Sequence, residues 1–213
     1  MTKTPRPGRA LYLLLSAVSS LGALITLAAL RLKGRRSGPA AATPGPTPAP
    51  GGVMMALFGG DPQALAQCAR DIPGFPAGTD PQSGRPWLRT AMDLGAAPAV
   101  AWMLEHGADA NTRGDDGLGP LESVILREGA GAIDLARMLL AAGADPNTPG
   151  ALDETALHLA AASGDADMVR LLLDHGADPN ARDAEEPPRS PADVAGESGH
   201  GAVAALLRER MGG

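Results

Sequence analysis

The residues that could do chemistry are four histidines and one cysteine, namely His106, His158, His175, His200 and Cys68. Histidine can bind a metal or act as a general base, and a cysteine thiolate can act as a ligand or nucleophile. No group of Cys, His and Asp has the spacing of zinc ligands. Cys68 stands among small apolar residues with no histidine beside it. The sequence therefore predicts a buried, inert thiol and no metal centre.

Other catalytic signatures are also missing. Ser163 lies at a predicted helix end with no strand before it, unlike the serine of a nucleophile elbow. The glycines are dispersed and do not gather into a phosphate-binding loop. The paired acids Asp115–Asp116 and Glu185–Glu186 fall on predicted turns, where solvated carboxylates make poor general acids. They are either simply solvated or in contact with a partner, and the sequence predicts no enzyme and no cofactor.

Charge is distributed unevenly along the 213 residues. The net charge is −6, but all 24 acidic residues lie from Asp61 onward, whereas seven basic residues and no acid precede it. An acidic C-terminal part repels phosphate backbones, which argues against nucleic-acid binding. A basic protein surface is a compatible partner, and so is simple solubility. The apolar content is mostly Ala and Leu with only 2% aromatics, which favours packed helices over strands.

The first 52 residues predict a membrane segment and a spacer. After a short basic tail (1–9), residues 10–30 form an uncharged apolar run about 30 Å long as a helix, enough to span a bilayer. This run is either a transmembrane helix or a signal peptide, and the four basic residues that follow it favour a retained helix. Residues 31–52 are basic, then Pro/Ala-rich, as in an extended linker. The arginine-rich, GC-type composition suggests a bacterium. The basic residues flanking the run do not settle its orientation. We expect a single-pass inner-membrane protein, and we favour the periplasmic side over the cytoplasmic side for its domain.

The remaining chain repeats itself. Residues 155–183 align without a gap on residues 86–114, and a third copy begins at Gly119. Gly-Ala-Asp triplets begin at Gly107, Gly143 and Gly176, which are 36 and 33 residues apart. The sharpest copy joins Thr155-Ala-Leu-His to Gly176-Ala-Asp-Pro-Asn, and a last unit from Ser190 matches the helical part only. A fixed period of this length is typical of stacked supersecondary units.

This pattern resembles the ankyrin repeat, and the resemblance implies the architecture. The domain at 53–213 is expected to be an all-α solenoid of about five helix-turn-helix units with short hairpin tips. The expected units are 53–80, 81–113, 114–149, 150–182 and 183–213, the outer two being caps. The histidines occupy positions where the repeat itself uses histidine, so their expected roles are structural. Trp102 is expected in the core, whereas Trp87 is either an exposed interface residue or packed under the irregular segment 73–83.

The resemblance also implies where a partner would bind. Ankyrin proteins usually bind other proteins on their hairpin tips and on the concave face formed by the first helices. Carried onto this chain, the candidates are Arg85, Asp93, Arg113, Asp115, Asp116, Leu118, Arg127, Leu152, Asp153, Glu154, Arg182, Glu185, Glu186 and Arg189. We therefore expect a non-enzymatic protein-binding module tethered to a bacterial inner membrane. The alternatives are a structural spacer or assembly factor in the envelope, and a secreted ankyrin protein released by signal-peptide cleavage.

Overall fold

The computed structural model describes residues 50–114, 117–127 and 131–212. Within these ranges the chain forms ten α-helices in five consecutive pairs, one short 3-10 helix (Ala151–Asp153) and no strand. The pairs are α1 (Pro50–Gly59) with α2 (Pro62–Asp71), α3 (Trp87–Asp93) with α4 (Ala97–Glu105), α5 (Pro120–Leu126) with α6 (Ala132–Ala141), α7 (Ala156–Ser163) with α8 (Ala166–Asp174), and α9 (Pro191–Glu197) with α10 (Gly201–Met211). The all-helical prediction is confirmed over these residues.

Stacking places the helices in two layers. The first helices contact one another in the order α3, α5, α7 and α9, and the second helices contact in the order α4, α6 and α8. Both helices of the first pair contact α4. The predicted membrane segment at 10–30 lies outside the described residues, and none of the helices within them has the length and hydropathy needed to cross a bilayer.

Small residues set the close spacing between the first helices. Ala91, Ala160 and Ala195 occupy equivalent positions of α3, α7 and α9, and none of them is exposed to solvent. Leucines such as Leu157 and Leu172 are also fully buried and belong to one continuous apolar core. Because interiors are packed as tightly as molecular crystals, a larger side chain at these alanines would displace a neighbouring helix.

The helix ends follow the chemistry that their sequences predict. Ser190 caps α9 by accepting from the amide of Asp193, and hydrogen bonds from Ser190 back to the carboxylate lower the pKa of Asp193. Gly176 follows α8 with φ at 87°, a left-handed conformation that glycine adopts without a steric penalty. A Cβ there would meet no atom within 4 Å. Backbone conformation, and not lack of space, therefore calls for glycine at this turn.

The aromatic residues pack together near the N-terminal end of the stack. Trp87 is buried with its ring edge-on to Phe75 at 5.7 Å, so the exposed alternative for Trp87 is wrong. Phe75 also stacks on Trp102 at 6.2 Å, which confirms Trp102 as a core residue. Cys68 is buried as predicted, and burial is the main cause of the raised pKa of its thiol. These contacts join the first helix pair to the second.

Candidate functional site

Four segments connect one helix pair to the next, and we call them tips one to four: residues 72–86, 106–119, 142–155 and 175–190. Each is closed by a backbone hydrogen bond between its two arms. The amides of Asp80, Gly114, Gly150 and Asp183 donate to the carbonyls of Arg85, Leu118, Glu154 and Arg189, at 2.8, 3.0, 2.8 and 3.1 Å. These bonds close short connecting segments, and in tip two residues 115–116 lie outside the described residues.

Asparagine side chains hold neighbouring tips in register. Asn111 in tip two donates to the carbonyl of Gly143 at 3.1 Å and accepts from the amide of Asp145 at 2.9 Å. Asn147 in tip three repeats both bonds in tip four, to Gly176 at 2.9 Å and from Asp178 at 2.8 Å. One amide side chain therefore satisfies a donor and an acceptor of the next repeat. The spacing between tips is fixed by these bonds as well as by helix packing.

Tip three carries a backbone conformation that its residues do not favour. Leu152 and Asp153 have φ angles of 57° and 56°, in the left-handed region that most residues other than glycine avoid. Two successive positive φ angles are typical of a turn that usually contains Asn-Gly or Asp-Gly. The Leu152 side chain is 52% exposed, and its carbonyl accepts from the amide of Ala184 in tip four at 2.8 Å. Tip three therefore exposes the apolar side chain of Leu152 on a strained turn that is hydrogen-bonded to tip four.

Arg189 gathers carboxylates from tips three and four. Its guanidinium lies 2.6 Å from Asp183, whose side chain is fully buried, and 3.9 and 4.0 Å from Glu154 and Glu185. Burial raises the pKa of Asp183, but hydrogen bonds and the charge of Arg189 outweigh this effect and lower it below its usual value. Arg189 also lies 3.4 Å from Glu197 on α9. The cluster holds the base of the fourth tip together, with more negative than positive charge.

His158 links the same region to α7. Its Nδ1 lies 3.2 Å from the amide nitrogen of Thr155 and 3.0 Å from the Thr155 hydroxyl, and its Nε2 lies 3.1 Å from the carbonyl of Arg189. These partners assign the proton to Nε2 in the neutral ring. The ring is fully buried, and desolvation is the main reason that its pKa falls below the ordinary 6.5. His158 is therefore a neutral side chain whose hydrogen bonds connect the start of α7 to tip four.

The predicted interface arginines are mostly engaged within the protein. Arg113 donates to the carbonyls of Gly117 and Pro149 and lies 3.6 Å from Glu122. Arg127 donates to the carbonyl of Met92 in the preceding pair. Arg85 pairs with Asp93 at 2.6 Å, and Arg182 pairs with Asp193 at 3.2 Å. These arginines brace neighbouring repeats or tips, which sequence spacing alone did not reveal.

The other candidates divide into two groups. Leu152, Asp153 and Glu186 are exposed, and the two acids have no ion pair among the described residues. Leu118, Glu154 and Glu185 are half-buried. Asp115 and Asp116 lie outside the described residues. Tips three and four therefore present one apolar side chain beside exposed carboxylates.

Glu122 occupies the position in α5 that corresponds to His158 in α7. Its side chain is buried, and its Oε1 has no hydrogen-bond partner among the described residues, although Arg113 is close enough for an ion pair. Its other oxygen lies so close to Gly119 that a Cβ at residue 119 would come within 2.4 Å. The departure from the histidine pattern is thus accommodated by a glycine at the helix start. The described residues contain no group of His, Cys, Asp and Glu arranged to hold a metal ion.

The repeat geometry and the sequence comparisons agree. The family model for ankyrin repeats, in three copies, matches residues 88–183 and 127–212. The chain belongs to the ankyrin-repeat family. It is also similar to cyclin-dependent kinase inhibitor 2A of Homo sapiens, with 35% identity over 139 residues that cover 64% of this chain and 85% of the human protein. Both comparisons point to a protein–protein interaction module.

Proposed function

We propose that this protein is a non-enzymatic binding module whose partner protein docks on tips three and four. The single observation that supports this site most is Leu152, which is 52% exposed on a turn with two left-handed residues. Strained backbone is kept where the surrounding structure enforces it, and such positions cluster at ligand-binding sites. An exposed leucine held by a rigid turn can enter a pocket without a large loss of conformational freedom on binding.

The charge around Leu152 defines the chemistry of the partner. Asp153 in tip three and Glu186 in tip four are exposed, and Glu185 and Glu197 leave part of the Arg189 cluster negative. Opposite charges steer association and disfavour wrong partners. The partner is therefore a protein with an apolar pocket rimmed by Lys or Arg. If the repeats lie in the cytoplasm, the name of the human relative makes a protein kinase the first class of partner to test.

The proposed location is the inner membrane of a bacterium, with residues 10–30 as the anchor and the repeats on the periplasmic side. The apolar run and the four basic residues after it support a retained anchor. The periplasmic side is proposed from the plan of a short tail, one span and a Pro/Ala-rich linker, against the basic residues after the span, which favour the cytoplasmic side. A reporter that is active only in the periplasm, fused after Gly213, tests this location. Activity in the membrane fraction is expected. An inactive reporter at the membrane would place the repeats in the cytoplasm, and activity in the soluble periplasm would indicate signal-peptide cleavage.

Site-specific photo-crosslinking in living cells tests the binding surface. A photo-reactive residue is placed at Leu152 or Glu186, and a matched control is placed at Arg137, which is exposed on α6 away from the tips. The same partner should be captured from positions 152 and 186 but not from 137, and Asp153→Lys with Glu186→Lys should abolish capture. Capture from 137 alone would contradict the proposed surface. Unchanged cellular function after the charge reversal would favour a structural spacer or assembly factor.

A further inference from the structure

The first helix of the stack is apolar on two opposite sides. Val53, Ala56 and Leu57 face the core and are buried. On the other side Met54, Met55 and Phe58 are 42%, 73% and 72% exposed. A helix that is apolar all round is normally covered on both sides, and the outer face of a terminal repeat normally has to be polar.

At the opposite end of the stack, the last helix has the charged outer surface that is usual for a terminal repeat. The last turns of α10 carry Arg208, Glu209 and Arg210, all exposed. By contrast, no charged residue occurs between Arg36 and Asp61, so α1 and the segment leading into it are uncharged. The outer face of α1, defined as Met54, Met55 and Phe58, therefore lacks the groups that keep a cap soluble.

We propose that the outer face of α1 lies against the surface of the bilayer that holds the predicted anchor. This inference rests on the membrane tether of the proposed function. If the anchor ends at Leu30, residues 31–49 separate it from α1. As the extended linker that its Pro/Ala-rich composition predicts, a segment of this length reaches at most about 60 Å, at about 3.1 Å per residue. The tether therefore confines α1 to the neighbourhood of the membrane and makes its contact with lipid an intramolecular event, so that a weak affinity for lipid is sufficient.

The chemistry of the face fits a lipid interface. Phe and unbranched apolar side chains enter the boundary between headgroups and acyl chains, where amphipathic helices bind membranes. The basic residues Arg31, Lys33, Arg35 and Arg36 are available to anionic headgroups before the uncharged stretch begins. The acidic repeats start only at Asp61, beyond the proposed contact. The bilayer is therefore a more fitting occupant than a charged protein surface.

Docking of α1 would fix how the stack stands on the membrane. The first pair would touch the lipid and α10 would be the helix farthest from it. Tips three and four, which belong to the later repeats, would then face the aqueous phase. The contact would fix the orientation of the repeats relative to the membrane, so that the proposed partner binds the tips without competing with lipid.

The test uses the full chain with Phe58→Cys, labelled with an environment-sensitive dye and reconstituted into vesicles of phosphatidylethanolamine and phosphatidylglycerol. Cys68 is buried with a raised thiol pKa, and wild-type protein treated with the dye checks that it stays unlabelled. Ala205→Cys, exposed on α10, is the matched control. We expect a blue shift and quenching by spin-labelled lipid at position 58 and neither at 205. Adding Met55→Asp should remove the quenching while helix content and vesicle flotation stay unchanged.

Each other outcome overturns the docking and separates it from the tether. Flotation with an unshifted, unquenched label at position 58 leaves the tether intact and shows that the face is in water. A blue shift without lipid quenching shows a protein cover, which is a second copy if the shift grows with protein concentration and a segment of the same chain if it does not. Failure to float overturns the tether itself, and the docking with it.

Discussion

Replacing Leu152 by glycine should produce a more stable protein than replacing it by alanine, against the usual order of these residues. At φ 57° a residue with a Cβ is disfavoured by about 1–2 kcal/mol. Glycine avoids that penalty but loses about 0.5–1 kcal/mol through its greater freedom in the unfolded chain. The free energy of unfolding of the glycine variant should therefore exceed that of the alanine variant by about 0.5–1 kcal/mol.

Alanine is the proper reference because both variants lose the leucine side chain. About half of Leu152 is buried, so its removal lowers the free energy of unfolding by roughly 1 kcal/mol in either case. Urea unfolding with a shared slope measures the difference between the variants. Both variants should also weaken the crosslink to the partner, because the apolar side chain is absent from each.

A second pair of variants checks the sign of the effect. Arg137 is exposed in the middle of α6, where Arg137→Gly should be less stable than Arg137→Ala by about 1 kcal/mol. If Leu152→Gly is also less stable than Leu152→Ala, the turn is not left-handed in solution. The reasoning that connects backbone strain at tip three to binding would then fail.

Three further predictions concern the contacts between repeats. Arg189→Met should lower the free energy of unfolding by about 3 kcal/mol because it leaves the buried Asp183 carboxylate unpaired, and adding Asp183→Asn should restore part of it in urea unfolding. Stability should fall as pH drops below 6.5, because the folded state disfavours protonated His158, and His158→Gln should flatten that part of a pH series of thermal melts. Asn147→Ala should lower the free energy of unfolding by about 1–2 kcal/mol through two lost hydrogen bonds, whereas Asn180→Ala should change it by less than about 0.5 kcal/mol. Equal losses would contradict the role of Asn147 in holding tips three and four in register.

The sign of the pH effect follows from the direction of each pKa. The pKa of His158 is lowered in the folded protein, so the unfolded state binds more protons just below pH 6.5 and stability decreases there. The pKa of Asp183 is also lowered, so its contribution is present above pH 3.8 and is lost as the pH falls further. The effect of His158 therefore begins near pH 6.5 and that of Asp183 near pH 3.8, and His158→Gln should leave the effect of Asp183 in place.

The repeat could be predicted from the sequence because its signals recur in phase. Gly176 and Ala160 each have counterparts in other repeats, so one position supports another. The left-handed turn at Leu152 could not be predicted in this way, because neither Leu nor Asp marks a positive φ as glycine would. The repeat pattern predicts a turn at this tip, but its backbone strain depends on how the fourth tip packs beside it.

The contacts of individual polar residues are also hard to predict, because they depend on how one repeat packs against the next. The repeat pattern places Arg127 among the candidate interface residues, but its guanidinium donates to the carbonyl of Met92, 35 residues earlier in the sequence. The amide of Asn147 likewise bridges to a repeat that lies 29 residues further along. Both contacts depend on the rise and rotation between repeats, which periodicity does not specify. Sequence therefore predicts which residues are polar and exposed more reliably than it predicts what those residues bind.

The joints between repeats differ in kind, which has a consequence for how the stack comes apart. The first joint contains the aromatic cluster of Phe75, Trp87 and Trp102, and apolar contacts weaken on cooling. The last joint contains His158 and the Arg189–Asp183 pair, which weaken in acid. Cold should therefore open the N-terminal end of the stack first and acid the C-terminal end first. Amide hydrogen exchange would then report two opposite directions of unfolding in one molecule.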